Sequence, residues 1–402
     1  MHLHPALRGP IAAALLSACG GAPPPASAPA APADAPAEAA PAPQAGEVQN
    51  VADAPPEHLF TVTSPVYHID RKYKSMFGPD ALQEVRLLDG PPELVWITGY
   101  QTTVVSADTE QPMSQEFMCH ANLDLDVQRY YEVFPTRVPL SGRVFTLSQG
   151  QQDIRLPPGF GIPVWTGDPL KLTTQVLNLN IDKPDLNVKH QVNIRFVRDS
   201  EVRSPMRPLF QAAVQGFKAL GEAKHYGLQE GDVNASTHGD GCSVGMSAVE
   251  GDVDADKLGQ KFTAHWIVEP GREEARTNVT RFLNLPYDTT VHYIAVHLHP
   301  FAESLKLNDL TTGETLFESK TRPANGKIGI EHIDWFESKE GLKLSKDHEY
   351  ELVSVYNNTT TEPVDSMAVM YMYLLDKTFG KPDVASLASP TSEADLSKPA
   401  GM

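Results

Sequence analysis

Short apolar runs separated by turn residues fill most of the chain from about residue 59 to residue 375. β-branched and aromatic residues dominate these runs, as in residues 93–98 and 191–197. Turn residues bound each run, as Asp89-Gly90 do before residues 93–98. Runs of this kind at short spacing are typical of antiparallel β-sandwiches. The pattern predicts an all-β fold class, with one β-rich block over residues 57–208 and a second over residues 262–380.

The segment between the two blocks, residues 209–261, breaks this pattern. Its first part has helical spacing, which predicts one amphipathic helix. The apolar residues at that spacing are Leu209, Phe210, Ala213, Val214, Phe217 and Leu220. A Gly- and Asp-rich loop follows, in which Asp252, Asp254 and Asp256 alternate as they do at the start of an EF-hand. Lys257 stands where that calcium loop has its turn glycine, so we expect a short helical and loop insertion with a solvated acidic loop.

The second block contains a strand with two histidines, residues 291–299, which Pro300 ends. Side chains alternate along a strand, so His297 and His299 share one face and can reach a single metal ion. Neutral imidazole suits copper, zinc, iron or nickel. His292 falls on the opposite, apolar face, where we expect a core residue or a neighbour of the ligands and not a ligand.

The N-terminus carries a lipoprotein export signal. Residues 11–16 are apolar, and Leu16-Ser17-Ala18-Cys19 matches the lipobox at which bacterial precursors are cleaved and lipidated on cysteine. Residues 1–19 are therefore predicted to be a signal peptide with Cys19 as the lipid anchor. Residues 20–56 are nearly all Ala, Pro, Gly and acids, which predicts an extended linker. Gly20 after the cysteine favours the periplasmic face of the outer membrane in the bacterial cell envelope.

The net charge of the chain limits the kinds of partner that it can be expected to bind. It contains 51 acidic and 33 basic residues, a formal net charge of −18. Such a balance argues against nucleic acid as a partner and favours solubility. Residues 381–402 are rich in Ser, Pro and Ala and are expected to be a disordered tail.

Three segments of the second block together resemble one enzyme family. They are residues 266–272, residues 284–299 with the His-x-His strand, and residues 365–373, which contain Met367. These segments are similar to the C-terminal domain of the copper type II, ascorbate-dependent monooxygenases, which include peptidylglycine α-hydroxylating monooxygenase and dopamine β-monooxygenase. The resemblance covers about residues 60–380 and implies two antiparallel jelly-roll β-sandwich domains that face each other across a cleft.

The resemblance also implies a ligand set and a reaction. His297, His299 and Met367 occupy the positions that bind the oxygen-activating copper in the family. Two imidazoles and a thioether suit copper, particularly Cu(I), because the thioether is a soft ligand. The implied activity is O2-dependent hydroxylation of an unknown small-molecule or peptide substrate, with ascorbate or another small reductant as electron donor.

The first block departs from the family at its metal ligands. Met118-Cys119-His120 falls where the family has a His-His pair, and Leu177 falls where it has a third histidine. The copper that relays electrons in the family is therefore missing here or rebuilt from other ligands. Cys119 and His120, with Cys242 or His238 from the insertion, would form a second, soft metal site.

The cysteines other than Cys19 leave three alternatives open. Cys119 and Cys242 remain as an even pair in an oxidising compartment, so a disulfide between them is the first expectation. Metal ligation and two free thiols are the others. The altered ligands of the first block also keep a second function open, a non-catalytic copper-binding lipoprotein that retains the monooxygenase fold. A protein of two sandwiches without metal is the third alternative.

Overall fold

Two β-sandwiches make up the part of the chain that the structure, a computed structural model, describes. The described residues are 55–221, 253–255, 261–383 and 387. They belong to one compact unit, Ala52–Met402. Strands account for nearly all regular structure in these residues, so the predicted all-β fold class is confirmed. The helical elements are short: α1 (Val127–Val133), α2 (Thr280–Leu283) and 3₁₀ turns at Gln115–Phe117 and Asp199–Glu201. Within the described residues, no helix is both long enough and apolar enough to cross a membrane.

The first sandwich has a four-stranded sheet, in the order β3-β9-β5-β6, packed on a layer in the order β1-β10-β4-β8. The strands are β1 (His58–Thr63), β2 (Tyr67–Ile69), β3 (Asp80–Val85), β4 (Leu94–Ser106), β5 (Met118–Asp124), β6 (Arg143–Ser148), β7 (Asp153–Arg155), β8 (Phe160–Trp165), β9 (Leu170–Val176) and β10 (Leu186–Arg198). Apolar side chains of both layers form its core, for example Tyr100 of β4, whose ring stacks on Phe145 of β6 at 5.3 Å.

The second sandwich has a five-stranded sheet, β16-β22-β18-β19-β20, packed on a layer in the order β11-β24-β17-β21. Two small sheets, β15-β23 and β12-β14-β13, accompany them. The strands are β11 (Arg207–Gln215), β12 (Lys218–Ala219), β13 (Val253–Ala255), β14 (Lys261–Thr263), β15 (Trp266–Val268), β16 (Gly271–Asn278), β17 (Thr289–Leu298), β18 (Ala302–Asp309), β19 (Glu314–Pro323), β20 (Ile330–Ile333), β21 (Phe336–Leu344), β22 (Tyr350–Asn358), β23 (Val364–Ser366) and β24 (Ala368–Leu375).

Strand β11 joins the two sandwiches. It pairs in parallel with β8 of the first sandwich and antiparallel with β24 of the second. A single ten-stranded sheet therefore runs through both sandwiches, and one face of its second half packs into the core of the first.

The helix predicted from Leu209 onward is wrong, because this segment is strand β11. Leu209 packs in the core of the first sandwich, whereas Phe210, Ala212 and Val214 pack in the core of the second. A strand buried on both faces is apolar at nearly every position, and such a run also satisfies helical spacing. Most of the rest of the predicted insertion, including His238, Cys242, Asp252 and Asp256, lies outside the described residues, as do residues 1–54 and most of the tail.

Candidate metal centre

His297 and His299 lie at the end of β17, beside the start of β24. In the antiparallel pairing of these strands His297 is opposite Val369. The same register, continued by two residues, places His299 opposite Met367. Residues opposite each other in an antiparallel pair project from the same face. The three predicted ligands therefore lie on one face of the sheet.

This face is turned toward the first sandwich. Tyr293 and Val369 on the same face pack in the core of the first sandwich, whereas Ile294 on the opposite face packs in the second. The exposed fractions of the predicted ligands are 5% for His297, 4% for His299 and 0% for Met367. The resemblance implied a cleft at this position. Instead, the shared ten-stranded sheet holds the sandwiches together and encloses the three side chains.

The imidazole of His297 has no hydrogen-bond partner for either ring nitrogen among the described residues. Burial lowers the pKa of His297 well below its ordinary value, and the neighbouring His299 and His120 lower it further. The ring of His299 lies 5.3 Å away, centroid to centroid, at an interplanar angle of 87°. The His297 ring is therefore neutral and keeps a nitrogen lone pair, which is the form of histidine that binds metal.

The hydroxyl of Tyr356 joins the two segments that carry the predicted ligands. It accepts hydrogen bonds from the backbone N–H groups of His299, at 3.2 Å, and Met367, at 3.3 Å. It donates a third to the carbonyl oxygen of Met367, at 2.5 Å. Tyr356 is itself buried on β22. A buried hydroxyl with three backbone partners is held rigidly, so Tyr356 fixes the spacing between His299 and Met367.

Two residues outside the predicted ligand set, His265 and Asp365, also lie at this site. The ring of His265 is buried, 5.6 Å from that of His299. Oδ2 of Asp365 is 2.6 Å from Nδ1 of His299, although the contact is too bent for a well-formed hydrogen bond. Asp365 precedes Met367 by two positions, so strand alternation could have placed it on the ligand face. His265 lies between two short strands and gave no comparable signal.

The donors at this site suit copper. No group of three or more His, Cys, Asp or Glu side chains in the described part of the chain is arranged to hold a metal ion. The predicted set has only two residues of these types, because its third ligand is methionine. Two neutral imidazoles and a thioether are typical ligands of Cu(I). The neutral His297 ring and its enclosure beside Met367 fit such an ion.

A small pocket of about 170 Å³ adjoins the site. Asp365, with a side chain 18% exposed, forms part of its wall. Most of the other lining residues are apolar, and one is a lysine: Lys74, Leu179, Ile267, Pro300, Phe301, Ile328, Pro363 and Val364. The pocket therefore connects solvent with a residue that touches His299.

His292 is buried, but not on the face that alternation predicts. The register of β17 shifts between Val291 and Tyr293, so His292 is the extra residue of a β-bulge. Its ring lies 4.1 Å from that of Phe160, a residue of the first core. Nδ1 is hydrogen-bonded to the Ser338 carbonyl oxygen, and Nε2 to the Thr290 hydroxyl. None of these partners is a predicted ligand, so His292 acts as a hydrogen-bonded core residue.

The segments that carry the altered ligand positions of the first sandwich are neighbours. β5 and β9 are paired, and the backbone N–H of Leu177 donates to the carbonyl of Phe117 at 3.0 Å. Cys119 and His120 are buried, with 6% and 2% exposed. Leu177 is buried too, but it has no donor atom in its side chain. Strand pairing thus brings together the segments that carry these positions, and one of the positions holds no ligand.

Cys242 and His238, the predicted partners of Cys119 from the insertion, lie outside the described residues. Cys119 is the one cysteine among the described residues, because Cys19 and Cys242 lie outside them. The disulfide to Cys242 and the second metal site with Cys242 therefore both stay predictions.

No protein-family model and no curated protein sequence matches the chain. Many solved structures are distantly similar, and three of them serve as examples. PNGase F, a glycosylasparaginase from Flavobacterium meningosepticum, has a TM-score of 0.34 at 8% identity, over 81% of this chain and 98% of that one. The STIV MCP has a TM-score of 0.31 at 9% identity, over 83% of this chain and 99% of that one. The major capsid protein P2 from bacteriophage PM2 has a TM-score of 0.29 at 8% identity, over 78% of this chain and 98% of that one. At this distance the likeness says nothing about function.

Proposed function

We propose that this protein is a copper-dependent monooxygenase-like lipoprotein in which His297, His299 and Met367 hold the copper. The observation that carries the proposal is the His297 ring, which is buried with no hydrogen-bond partner for either nitrogen among the described residues. Buried polar groups nearly always have a partner, and an ion is one partner that satisfies them. A second imidazole and a thioether on the same face supply the remaining donors for copper.

The proposed reaction is the hydroxylation of a C–H bond. One oxygen atom of O2 enters the product and the other leaves as water, so R–H, O2, two electrons and two protons give R–OH and H2O. Copper at this site would supply the one-electron chemistry with O2, and a small reductant such as ascorbate would supply the electrons. The residues of the chain keep His297 neutral by burial and exclude bulk water. Tyr356 holds the His299 and Met367 segments together.

The adjoining pocket favours a small or narrow substrate. Its volume, about 170 Å³, is below the roughly 300–1,000 Å³ that is typical of ligand pockets. Its walls are mainly apolar, with Ile267 and Phe301 among them. We therefore propose a small apolar molecule, or an apolar end of a longer one, as the group that enters.

Attachment to the cell envelope is part of the same proposal. The lipobox ending in Cys19 and the linker after it support a lipid anchor on the periplasmic face of the outer membrane. An acidic chain with a net charge of −18 does not favour nucleic acid as a partner.

A non-catalytic copper-binding lipoprotein is the second candidate function, and two observations favour it. The three predicted ligands are at most 5% exposed, which suits retention of an ion. Leu177 also leaves the first sandwich without the third histidine that electron relay requires in the family that the chain resembles.

Oxygen consumption distinguishes the two functions. The full chain in detergent is loaded with one equivalent of copper and given ascorbate with a panel of small apolar substrates. The monooxygenase predicts substrate-dependent O2 uptake with hydroxylated product by mass spectrometry, and 18O2 should label that product. A His297→Ala/His299→Ala variant is the matched control for free copper. Tight copper binding in wild type without any product contradicts the enzyme and leaves the copper-binding function.

A further inference from the structure

Asp365 occupies a position that no ligand assignment explains. It is an acidic residue with only 18% of its side chain exposed, at the edge between the two sandwiches and on the wall of the small pocket. Its nearest basic group is an imidazole, since Oδ2 lies 2.6 Å from Nδ1 of His299. Burying a carboxylate in such surroundings costs free energy unless an opposite charge or hydrogen bonds compensate for the lost water.

The contact favours one of the two ring nitrogens of His299 as the carrier of the proton. A nitrogen lone pair and a carboxylate oxygen are both electron-rich, so they do not approach to 2.6 Å unless a proton lies on the nitrogen side. A hydrogen on Nδ1 of His299 removes this repulsion, although the contact is too bent for a well-formed hydrogen bond. In the neutral ring this leaves the lone pair on Nε2, which is then the nitrogen available to a metal ion.

The carboxylate is held from the first sandwich. The hydroxyl of Ser75 donates a hydrogen bond to Asp365. Ser75 precedes Met76, which adopts a φ of +70°, in the left-handed region that few residues other than glycine adopt. The amide of Gln175 donates to the carbonyl oxygens of Met76 and Gly78, at 2.9 and 3.0 Å, and so holds this turn in place. The position of Asp365 is thus determined by both sandwiches.

We propose that Asp365 is the positioning residue of the copper site, which fixes the tautomer of His299 and supplies the negative charge that balances the bound ion. The inference rests on the proposed copper site. Two imidazoles and a thioether carry no charge, so a buried copper ion at this site has Asp365 as its nearest negative group among these residues. Carboxylates that orient a metal-binding histidine in this way typically contribute 10- to 100-fold in metal affinity.

Two substitutions at one position separate orientation from charge. Asp365→Asn keeps an oxygen that can accept from Nδ1 but removes the charge, whereas Asp365→Ala removes both. Asp365→Asn should weaken Cu(II) binding by roughly 10-fold and Cu(I) binding less, because the doubly charged ion gains more from a neighbouring negative charge. Asp365→Ala should weaken both oxidation states, by up to about 100-fold. Competition with chromogenic chelators measures each affinity, and Glu362→Gln, an exposed acid nearby, is the control.

A metal-free measurement tests the orientation directly. Nitrogen-15 NMR of the copper-free full chain in detergent reports which ring nitrogen of His299 is protonated. The wild type and Asp365→Asn should show Nδ1–H, and Asp365→Ala should shift toward Nε2–H, with thermal unfolding used to verify that each variant is folded.

The outcomes separate this inference from the proposed function. Nε2–H in the folded wild type overturns the inference, whatever the copper affinity. Unchanged affinities in both Asp365 variants, in a protein whose wild type binds copper, overturn it as well. A wild type that binds no copper refutes the proposed function, and with it the balancing of copper charge, whereas the NMR result still decides the tautomer.

Discussion

The family resemblance assigns a set of ligand positions to each sandwich, and the two sets differ in the residues that occupy them. In the second, His297, His299 and Met367 lie on one face, and the Tyr356 hydroxyl fixes the spacing of the last two. In the first, strand pairing brings Leu177 beside the turn that leads into β5, but leucine has no donor. The comparison shows that strand pairing sets the positions of a site independently of the residues that occupy them. Metal binding depends on the residues.

Buried histidine alone does not distinguish the two regions. His190 of the first sandwich is also buried, and neither ring nitrogen has a hydrogen-bond partner within the described part of the chain. Its ring lies 6.0 Å from that of Tyr67, centroid to centroid. Burial, together with a smaller effect of the nearby His120, lowers the pKa of His190 to about 3. Each of these histidines has another imidazole near it, and the second region differs because the thioether of Met367 shares the face of His297 and His299.

Removal of a ligand should produce the largest effect, and it tests most directly whether copper binds in the second sandwich and not in the first. His299→Ala should reduce copper affinity by more than the roughly 100-fold that loss of a supporting residue costs, because two remaining ligands hold copper weakly. Cys119→Ala/His120→Ala, the matched change in the first sandwich, should keep the stoichiometry and change the affinity far less, because His120 neighbours His297 but is not a proposed ligand. Competition titrations of the full chain in detergent measure both. A loss of copper in the Cys119/His120 variant alone would move the site to the first sandwich.

Removal of the Tyr356 hydroxyl should produce the next largest effect. Tyr356→Phe deletes three hydrogen bonds to the backbone of His299 and Met367. Buried groups left without partners cost about 1 to 3 kcal/mol, so we expect a destabilisation of about 2 kcal/mol in chemical denaturation. We also expect weaker copper binding.

The matched control for Tyr356 is Tyr350→Phe, on the same strand. The Tyr350 hydroxyl bonds the backbone of Ser345, away from the site. This variant should lose comparable stability without a change in copper affinity. Equal copper affinity in the two variants would show that Tyr356 does not position the ligands.

The smallest effect concerns His190 and the pH dependence of stability. With a pKa of about 3 in the folded chain and about 6.5 unfolded, His190 binds a proton only in the unfolded state between these values. Folding stability should therefore fall as pH decreases below 6.5, by up to about 1.4 kcal/mol per pH unit from this residue. His190→Leu should remove that part of the acid sensitivity and leave copper content unchanged.

Denaturation between pH 7 and pH 5 measures this contribution, with the exposed His68→Leu as control. An identical pH dependence in wild type and His190→Leu would contradict the assignment. Copper loss in His190→Leu would instead make this histidine part of a metal site, and the contrast between the two regions would disappear.

Strand alternation was sufficient to place His297 and His299 on one face, because two residues so close along a regular strand project from the same side. It failed at His292, where a bulge shifts the register, and bulges leave no clear mark in a single sequence. Met367 depended on the family resemblance, since three methionines lie within six residues there.

The errors elsewhere also have physical causes. Strand β11 is buried on both faces, so its apolar residues matched a helical pattern as well as a strand. His265 reaches the site through the packing of a loop, which local sequence does not encode. The enclosure of the ligands depends on the pairing of β11 with β8 and β24, strands far apart along the chain.

X-ray absorption at the copper edge of the Cu(I)-loaded full chain tests the central claim most directly, because it reports both the amount of metal and the atoms bound to it. The proposed site predicts one copper per chain, with two imidazole nitrogens and one sulfur among its nearest neighbours. Met367→Leu should remove the sulfur and keep both imidazoles. No retained copper, or a sulfur that persists in Met367→Leu and is lost in Cys119→Ala, would contradict the assignment of the ion to His297, His299 and Met367.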